Sequence, residues 1–155
     1  MHISVRSRLR ATLWLVAFLA LCVSGCGGDN ALNSPTALKM KGVANAYLDH
    51  VVGANGPPVD EAAFKKHLRG LRASVQYDYH IDPNNIDASF VSERDHEPLV
   101  IMYGQGVGKI SGDSKRVLAH EKTGKNGKRL VVFVSTKVDV VNEAELEQLK
   151  SAKGK

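Results

Sequence analysis

The chain has 155 residues, of which 43% are hydrophobic and 6% aromatic, and its formal net charge is +5. This length is enough for one domain with a core of its own. The first 25 residues contain three arginines and no acidic residue, so a chain without them would carry a charge of +2. The basic composition is therefore no argument for nucleic-acid binding, and no nucleic-acid partner is predicted.

An apolar run from Ala11 to Val23 follows three basic residues, Arg6, Arg8 and Arg10. About 13 residues are too few to cross a hydrocarbon core of roughly 30 Å as a helix, which needs about 20. A basic start followed by a short apolar run is typical of a secretory signal peptide. An uncleaved membrane helix and ordinary secretion with a free Cys26 are the two alternatives.

The run ends in Val23-Ser24-Gly25-Cys26, which resembles the lipobox of bacterial lipoproteins. The resemblance implies removal of residues 1–25, attachment of lipid to the Cys26 sulfur and acylation of the new amino terminus. Residues 26–34, which are mostly small and polar, would then be the anchor and a short tether. The expected location is the bacterial cell envelope, on a periplasmic or outer-membrane face, with the membrane as a partner through Cys26.

Residues 35–150 are predicted to form a single α+β domain that begins with helices. Ser34-Pro35 is a favourable start, with serine as N-cap and proline in the first turn. Apolar residues then follow helical spacing as far as Gly53. Two large side chains of this helix, Met40 and Tyr47, are expected in the core rather than at a cofactor.

A second, shorter helix is predicted after Asp60, where Val59 and Phe64 occupy the positions of a hydrophobic staple. Beyond it, apolar and polar residues alternate from Val75 to Ile81, which favours a strand. A loop whose tyrosines brace the core is the alternative for this segment.

Four short β-rich runs follow the polar middle of the chain. They are Leu99–Tyr103, Val117–His120, Leu130–Val134 and Lys137–Val140. Asn126-Gly127 is a favoured hairpin turn pair between the second and third runs. Strands so closely spaced leave no room for crossover helices, so they are expected to pair antiparallel. The sequence thus predicts an α+β fold with N-terminal helices packed on a small antiparallel meander of about four strands.

A short C-terminal helix is predicted to cover this meander. Asn142 and Glu145 stand at the positions of a capping box, and Val141 and Leu146 at those of a staple. The tail 151–155 is expected to be disordered.

Several features follow one another in a characteristic order. They are a helix containing Tyr47, the break Asn55-Gly56-Pro57-Pro58, the run Phe90-Val91-Ser92-Glu93-Arg94-Asp95, and a last hairpin from Leu130 to Val141. This order resembles the soluble head domains of bacterial type II secretion pseudopilins and their pilin-like relatives, over roughly residues 38–149. The resemblance implies a component associated with a secretion or pilus machine. Pseudopilins keep their apolar N-terminal helix as a filament stalk, whereas this sequence predicts its removal.

The sequence motifs predict no catalytic residue and no cofactor. Gly104–Lys109 is rich in glycine, but the spacing of a phosphate loop needs glycine where Tyr103 stands and serine or threonine where Ile110 stands. Imidazole and carboxylate groups that suit metals occur at four positions, His80, Asp82, Asp95 and His96. Because no zinc or calcium motif organises them, a solvated polar loop is the preferred interpretation and no metal is predicted.

Four basic residues surround the predicted hairpin turn: Lys122, Lys125, Lys128 and Arg129. An anchored domain would hold them close to anionic lipid headgroups or lipopolysaccharide phosphates, which they could contact. A charged hairpin tip that only aids solubility is the simpler alternative.

Three functions are consistent with these patterns. The first is a non-enzymatic envelope lipoprotein whose small domain binds a protein partner of unknown identity. The second is a pseudopilin-like component associated with secretion or pili, which rests on an analogy of fold. The third is a metal-binding or hydrolytic protein that uses the loop of residues 80–97.

Overall fold

The computed structural model describes residues 30–54, 56–104 and 114–151. The predicted signal peptide, Cys26, the glycine-rich segment after Gly104 and the tail after Ser151 lie outside these residues. The described residues from Ala31 onward form one compact unit. Among the described helices, none combines the length and the apolar composition needed to cross a bilayer.

The helices and strands follow the predicted α+β order. The α-helices are α1 (Pro35–Gly53), α2 (Glu61–Gly70), α3 (Ala73–Asp78) and α4 (Glu143–Ser151), and short 3-10 helices lie at Ala31–Asn33 and Ile86–Phe90. The strands are β1 (Val100–Ile101), β2 (Val117–His120), β3 (Lys128–Phe133) and β4 (Val138–Asn142). The predicted α+β fold is confirmed. Strand β2 coincides with its predicted run, and the ends of the other three strands differ from the predicted ones by one or two residues.

Helix α1 begins as its sequence predicts. The Ser34 side chain accepts a hydrogen bond from the Ala37 N–H at 3.2 Å, and Pro35 occupies the first turn. Met40 and Tyr47 are fully buried on the face that packs against the sheet, which confirms that both belong to the core.

The strands described form one antiparallel sheet in the order β1-β2-β3-β4. Asn126 and Gly127 have φ angles of 55° and 70°, so both lie in the left-handed region that a type I′ hairpin turn requires. A second tight turn at Ser135-Thr136 joins β3 to β4, with Thr136 at φ 62°. The two turns lie at opposite ends of β3.

The sheet is covered on both faces. Its larger core lies against α1 and α2 and includes Phe64, Leu68 and Leu130. The smaller core, on the other face, forms around Leu146 of α4. The predicted capping box of α4 is present, because the Asn142 N–H donates to Glu145 Oε2 at 2.8 Å and the Glu145 N–H to Asn142 Oδ1 at 2.9 Å.

Two local predictions are wrong. The segment Val75–Ile81 is not a strand: most of it belongs to α3, in which Gln76 is buried and donates from Nε2 to the Leu68 carbonyl oxygen at 2.5 Å. Tyr77 is 60% exposed, so the alternating pattern does not correspond to one buried face. The staple before α2 is also absent, since Val59 is 76% exposed although Phe64 is buried.

A glycine allows the end of α3 to approach α1 closely. A Cβ atom built on Gly42 would lie 1.6 Å from the Tyr79 carbonyl oxygen. Backbone atoms cannot move aside as a flexible side chain can, so this contact requires glycine even though glycine is a poor helix former.

We expect Gly42→Ala to lower the free energy of unfolding by about 1–3 kcal/mol, because the methyl group forces α1 and α3 apart. The better helix propensity of alanine, about 1 kcal/mol, would act in the opposite direction. Urea unfolding followed by circular dichroism measures the change. Gly53→Ala is the matched control in the same helix, since its added Cβ would meet no described atom within 4 Å beyond its chain neighbours and the adjacent helix backbone. Equal stabilities of the two variants would contradict this account.

Candidate functional site

The most deeply buried charged side chain among the described residues is Glu121, which follows β2 and is 0% exposed. Ser92 Oγ donates to Glu121 Oε1 at 2.7 Å, and the Leu130 N–H donates to Oε2 at 2.8 Å. Arg94 Nε lies 3.6 Å from Oε1. Each carboxylate oxygen therefore has a donor, which is the condition for keeping such a group away from water.

The loop of residues 92–97 is shaped by this carboxylate. Ser92 Oγ also accepts from the Arg94 N–H at 3.0 Å, so one hydroxyl joins the loop backbone to Glu121. The Ser92 N–H donates to the Glu97 carbonyl oxygen, and the His96 N–H donates to the Ser92 carbonyl oxygen, both at 3.0 Å. The predicted solvated loop is thus a compact turn fixed to the strand end.

Asp95 fixes the same loop to the β2–β3 hairpin. Its Oδ2 accepts from the Thr123 N–H at 2.9 Å and from the Gly124 N–H at 2.6 Å, and its Oδ1 accepts from the Glu97 N–H at 3.2 Å. Burial raises the pKa of Asp95, but the hydrogen bonds from these backbone N–H groups together outweigh it and leave the pKa lowered. Asp95 is therefore a structural acceptor in this conformation.

The other candidate metal ligands do not join it. His80, Asp82 and His96 are exposed, and Asp82 Oδ1 accepts from the Asn84 N–H at 2.9 Å. Within the described residues, no three histidine, cysteine, aspartate or glutamate side chains are grouped so as to hold a metal ion.

The loop also contacts the start of α1. The Glu93 N–H donates to Thr36 Oγ1 at 2.9 Å, and Lys39 Nζ lies 2.7 Å from Glu93 Oε1. The beginning of α1, residues 92–97 and residues 121–130 consequently meet at one end of the domain. We call this the hairpin end.

Tyr47 marks the opposite end. Its hydroxyl donates to the Met102 carbonyl oxygen at 3.2 Å, and the Met102 N–H donates to the Leu118 carbonyl oxygen at 2.9 Å. Burial raises the pKa of Tyr47 to about 12, so the phenol keeps the proton that it donates. Because α1 runs from Thr36 to Tyr47 and beyond, the chain enters the domain at the hairpin end and α1 finishes at what we call the far end.

Ion pairs neutralise part of the basic cluster at the hairpin tip. Lys122 Nζ lies 3.1 Å from Glu97 Oε2, and Arg129 pairs with Glu143. Lys125 and Lys128 are exposed, and neither forms an ion pair with a described residue. The exposed positive charge of the cluster is thus concentrated on these two lysines, which flank the turn.

Three histidines interact in ways that their sequence spacing does not reveal. The rings of His50 and His67 lie 4.8 Å apart, and His67 Nε2 is 3.5 Å from Asp49 Oδ2, so the His67 side chain is only 23% exposed. Burial is the main cause of its lowered pKa. His120 is 4% exposed and its Nδ1–H donates to the Glu121 carbonyl oxygen at 2.8 Å. Burial lowers the pKa of His120 as well.

We expect Glu121→Ala to lower the free energy of unfolding by about 3–5 kcal/mol, because it removes the acceptor of the Ser92 hydroxyl and of the Leu130 N–H. Urea unfolding of the purified protein measures the loss. Glu147→Ala is the control, since Glu147 is exposed and pairs with Lys150 at the surface, and it should leave stability nearly unchanged. A Glu121 variant as stable as the control would show that the buried carboxylate does not hold the loop.

No protein-family model matches this chain, and neither a curated protein nor a solved structure is significantly similar to it.

Proposed function

We propose that this chain is a membrane-anchored lipoprotein of the bacterial cell envelope whose domain binds another protein and catalyses no reaction. The lipobox-like run ending in Cys26 supports the anchor. One structural observation carries the rest: the chain enters the domain at the hairpin end, and the two most exposed large apolar side chains described, Val52 and Val59, lie at the far end. An anchored domain of this form keeps its hairpin end near the bilayer and leaves its far end accessible to a partner protein.

The two most exposed large apolar side chains among the described residues lie around the connection between α1 and α2. Val52 is 75% exposed and Val59 76%, against nearly complete burial of the core. Val52 lies five residues beyond Tyr47 in α1. Val59 follows Pro58, whose carbonyl oxygen accepts from the Gly104 N–H at 2.9 Å, shortly after β1. Four other large apolar side chains are exposed by 37–60%: Leu32, Leu38, Tyr77 and Val91. The strongest apolar exposure among the described residues is therefore at Val52 and Val59, which favours a contact with another protein there.

The use of the polar side chains also favours binding over catalysis. Asp95, the most enclosed of the four candidate metal ligands, uses both oxygens to hold backbone N–H groups. Ser92 and Glu121 bond each other and the backbone in the interior. These groups stabilise the hairpin end, and a reaction that used them would first have to break those bonds.

A pseudopilin-like component of a secretion or pilus machine is the second candidate. A long helix packed across an antiparallel meander, as seen for α1 and β1–β4, is the architecture that the sequence resemblance implies. The two candidates share the binding role of the domain. They differ in the partner and in whether the apolar N-terminal segment is kept.

We expect Cys26→Ser to release the protein from the membrane fraction, because several acyl chains supply almost all of the membrane affinity. Mass spectrometry of the wild-type amino terminus should find Cys26 as the first residue with lipid attached. Cys22→Ser, which changes only the predicted leader, is the control and should leave both results unaltered. A wild-type terminus with an intact leader or an unmodified Cys26 would refute the anchor.

A photo-crosslinking residue at Val52 or Val59 should give a discrete protein adduct in intact cells, because both positions lie at the far end. The same residue at Ala144, exposed on α4, is the control and should give no such adduct. Identification of the adduct by mass spectrometry separates a secretion or pilus component from any other partner. Crosslinks of equal strength at all three positions would contradict a specific far-end contact.

A further inference from the structure

We infer that Lys125 and Lys128 contact anionic phospholipid headgroups of the same bilayer that holds the anchor, so that the hairpin end of the domain faces the membrane. This inference rests on the proposed lipid anchor at Cys26. It adds the orientation of the domain and the chemistry of the surface that the hairpin meets.

The distance from the anchor limits where the domain can lie. Ala31 is 5% exposed and packs in the main core, so the ordered domain begins there. Four residues separate it from Cys26, and the five steps from one Cα atom to the next span at most about 18 Å in a fully extended chain. The start of the domain therefore remains within about 18 Å of the lipid.

The hairpin lies at the end where the chain enters. Thr36 bonds Glu93 of the loop, and Asp95 of the same loop bonds Thr123 and Gly124 of the hairpin. These hydrogen bonds connect the start of α1 to the loop of residues 92–97, and connect that loop to the hairpin. A tether that draws the start of α1 towards the bilayer thus draws the hairpin with it.

The turn holds the two lysines in place. The Lys125 N–H donates to the Lys128 carbonyl oxygen at 2.9 Å, and the Lys128 N–H donates back to the Lys125 carbonyl oxygen at 3.0 Å. Asn126 and Gly127 form the turn between them. Both ammonium groups are therefore carried on a short, closed loop at the tip.

The expected preference for the orientation with the hairpin at the membrane is modest, but it is sufficient for a tethered domain. A lysine close to an anionic surface favours the bound state by about fivefold, so two favour it by about 30-fold. A free protein would hardly bind through such a contact, but the tether already holds the domain at the bilayer and only its orientation remains to be selected. The attraction decays over a Debye length of about 10 Å, which the hairpin can reach.

Two lysines at the far end provide an internal comparison. Lys115 precedes β2 and Lys137 lies in the turn before β4, and both are exposed. Helix α1 has 19 residues and is about 28 Å long, so the far end lies well beyond a Debye length from a membrane at the hairpin end.

The test is a brief acylation of lysines on the full-length lipidated protein in vesicles. One set of vesicles contains phosphatidylglycerol in phosphatidylcholine, and the other contains phosphatidylcholine alone. Peptide mass spectrometry gives the labelling rate of each lysine. Lys125 and Lys128 should be labelled at least about fivefold more slowly on the anionic vesicles than on the neutral ones, and Lys115 and Lys137 equally fast on both. Salt at 1 M, where the Debye length is about 3 Å, should abolish the difference.

Two double variants test the contact through the labelling rate of Lys122, which neither of them replaces. In K125Q/K128Q the protection of Lys122 on anionic vesicles should be lost, whereas K115Q/K137Q, which removes the same charge at the far end, should retain it. Equal labelling of both ends in lipidated protein overturns the inference and leaves the proposed lipoprotein intact. Protection on both kinds of vesicle, or protection only when lipopolysaccharide is added, also overturns it. An intact mass without lipid refutes the proposed function, and the inference falls with it.

Discussion

The interior carboxylate of Glu121 is the constraint on which the organisation of the domain depends. A charge removed from water must receive hydrogen bonds on both oxygens, and here a serine hydroxyl and a strand N–H provide them. Those two donors belong to segments almost forty residues apart, so satisfying one side chain fixes the loop of residues 92–97 against the β2–β3 hairpin. The start of α1 then joins through Thr36. The hairpin end is consequently a connected polar structure, and towards the opposite end the Tyr47 hydroxyl bonds the Met102 carbonyl oxygen.

The buried carboxylate explains the role of the polar run of residues 92–97 in the middle of the sequence. Serine, arginine, aspartate, histidine and glutamate in close succession are residue types that also build metal and catalytic sites. In the folded chain, Asp95 accepts three backbone N–H groups and Ser92 connects Glu121 to its own loop. The glutamates of the run pair with Lys39 and Lys122, and Glu143 of α4 pairs with Arg129, so the exposed positive charge of the hairpin is concentrated on two lysines. The polar run thus holds the hairpin in place and pairs with one of its four basic residues, Lys122.

Local rules predicted much of the fold because many of its boundaries depend on groups only three or four residues apart. Ser34 caps α1, Asn142 and Glu145 cap α4 reciprocally, and Asn126-Gly127 closes the hairpin, all as their residue types indicate. The wrong prediction of a strand also has a physical cause. Val75–Ile81 alternates as a strand would, but α3 buries Gln76 through a hydrogen bond to α2 rather than burying the tyrosine at position 77. A pattern of polarity cannot show which polar residue will find a partner.

The sequence by itself determined the order of helices and strands, the antiparallel pairing and the existence of a basic hairpin, because short connections and capping residues act locally. Tertiary structure alone decided that Glu121 is buried, that Asp95 is an acceptor for the hairpin, and that His50 lies beside His67. It also decided that the chain enters the domain at the end where Lys125 and Lys128 lie. The physical reason is common to all of these: a charge or a polar group acquires its role from donors and acceptors that are distant in sequence, and only the packing of α1 on the sheet brings them together.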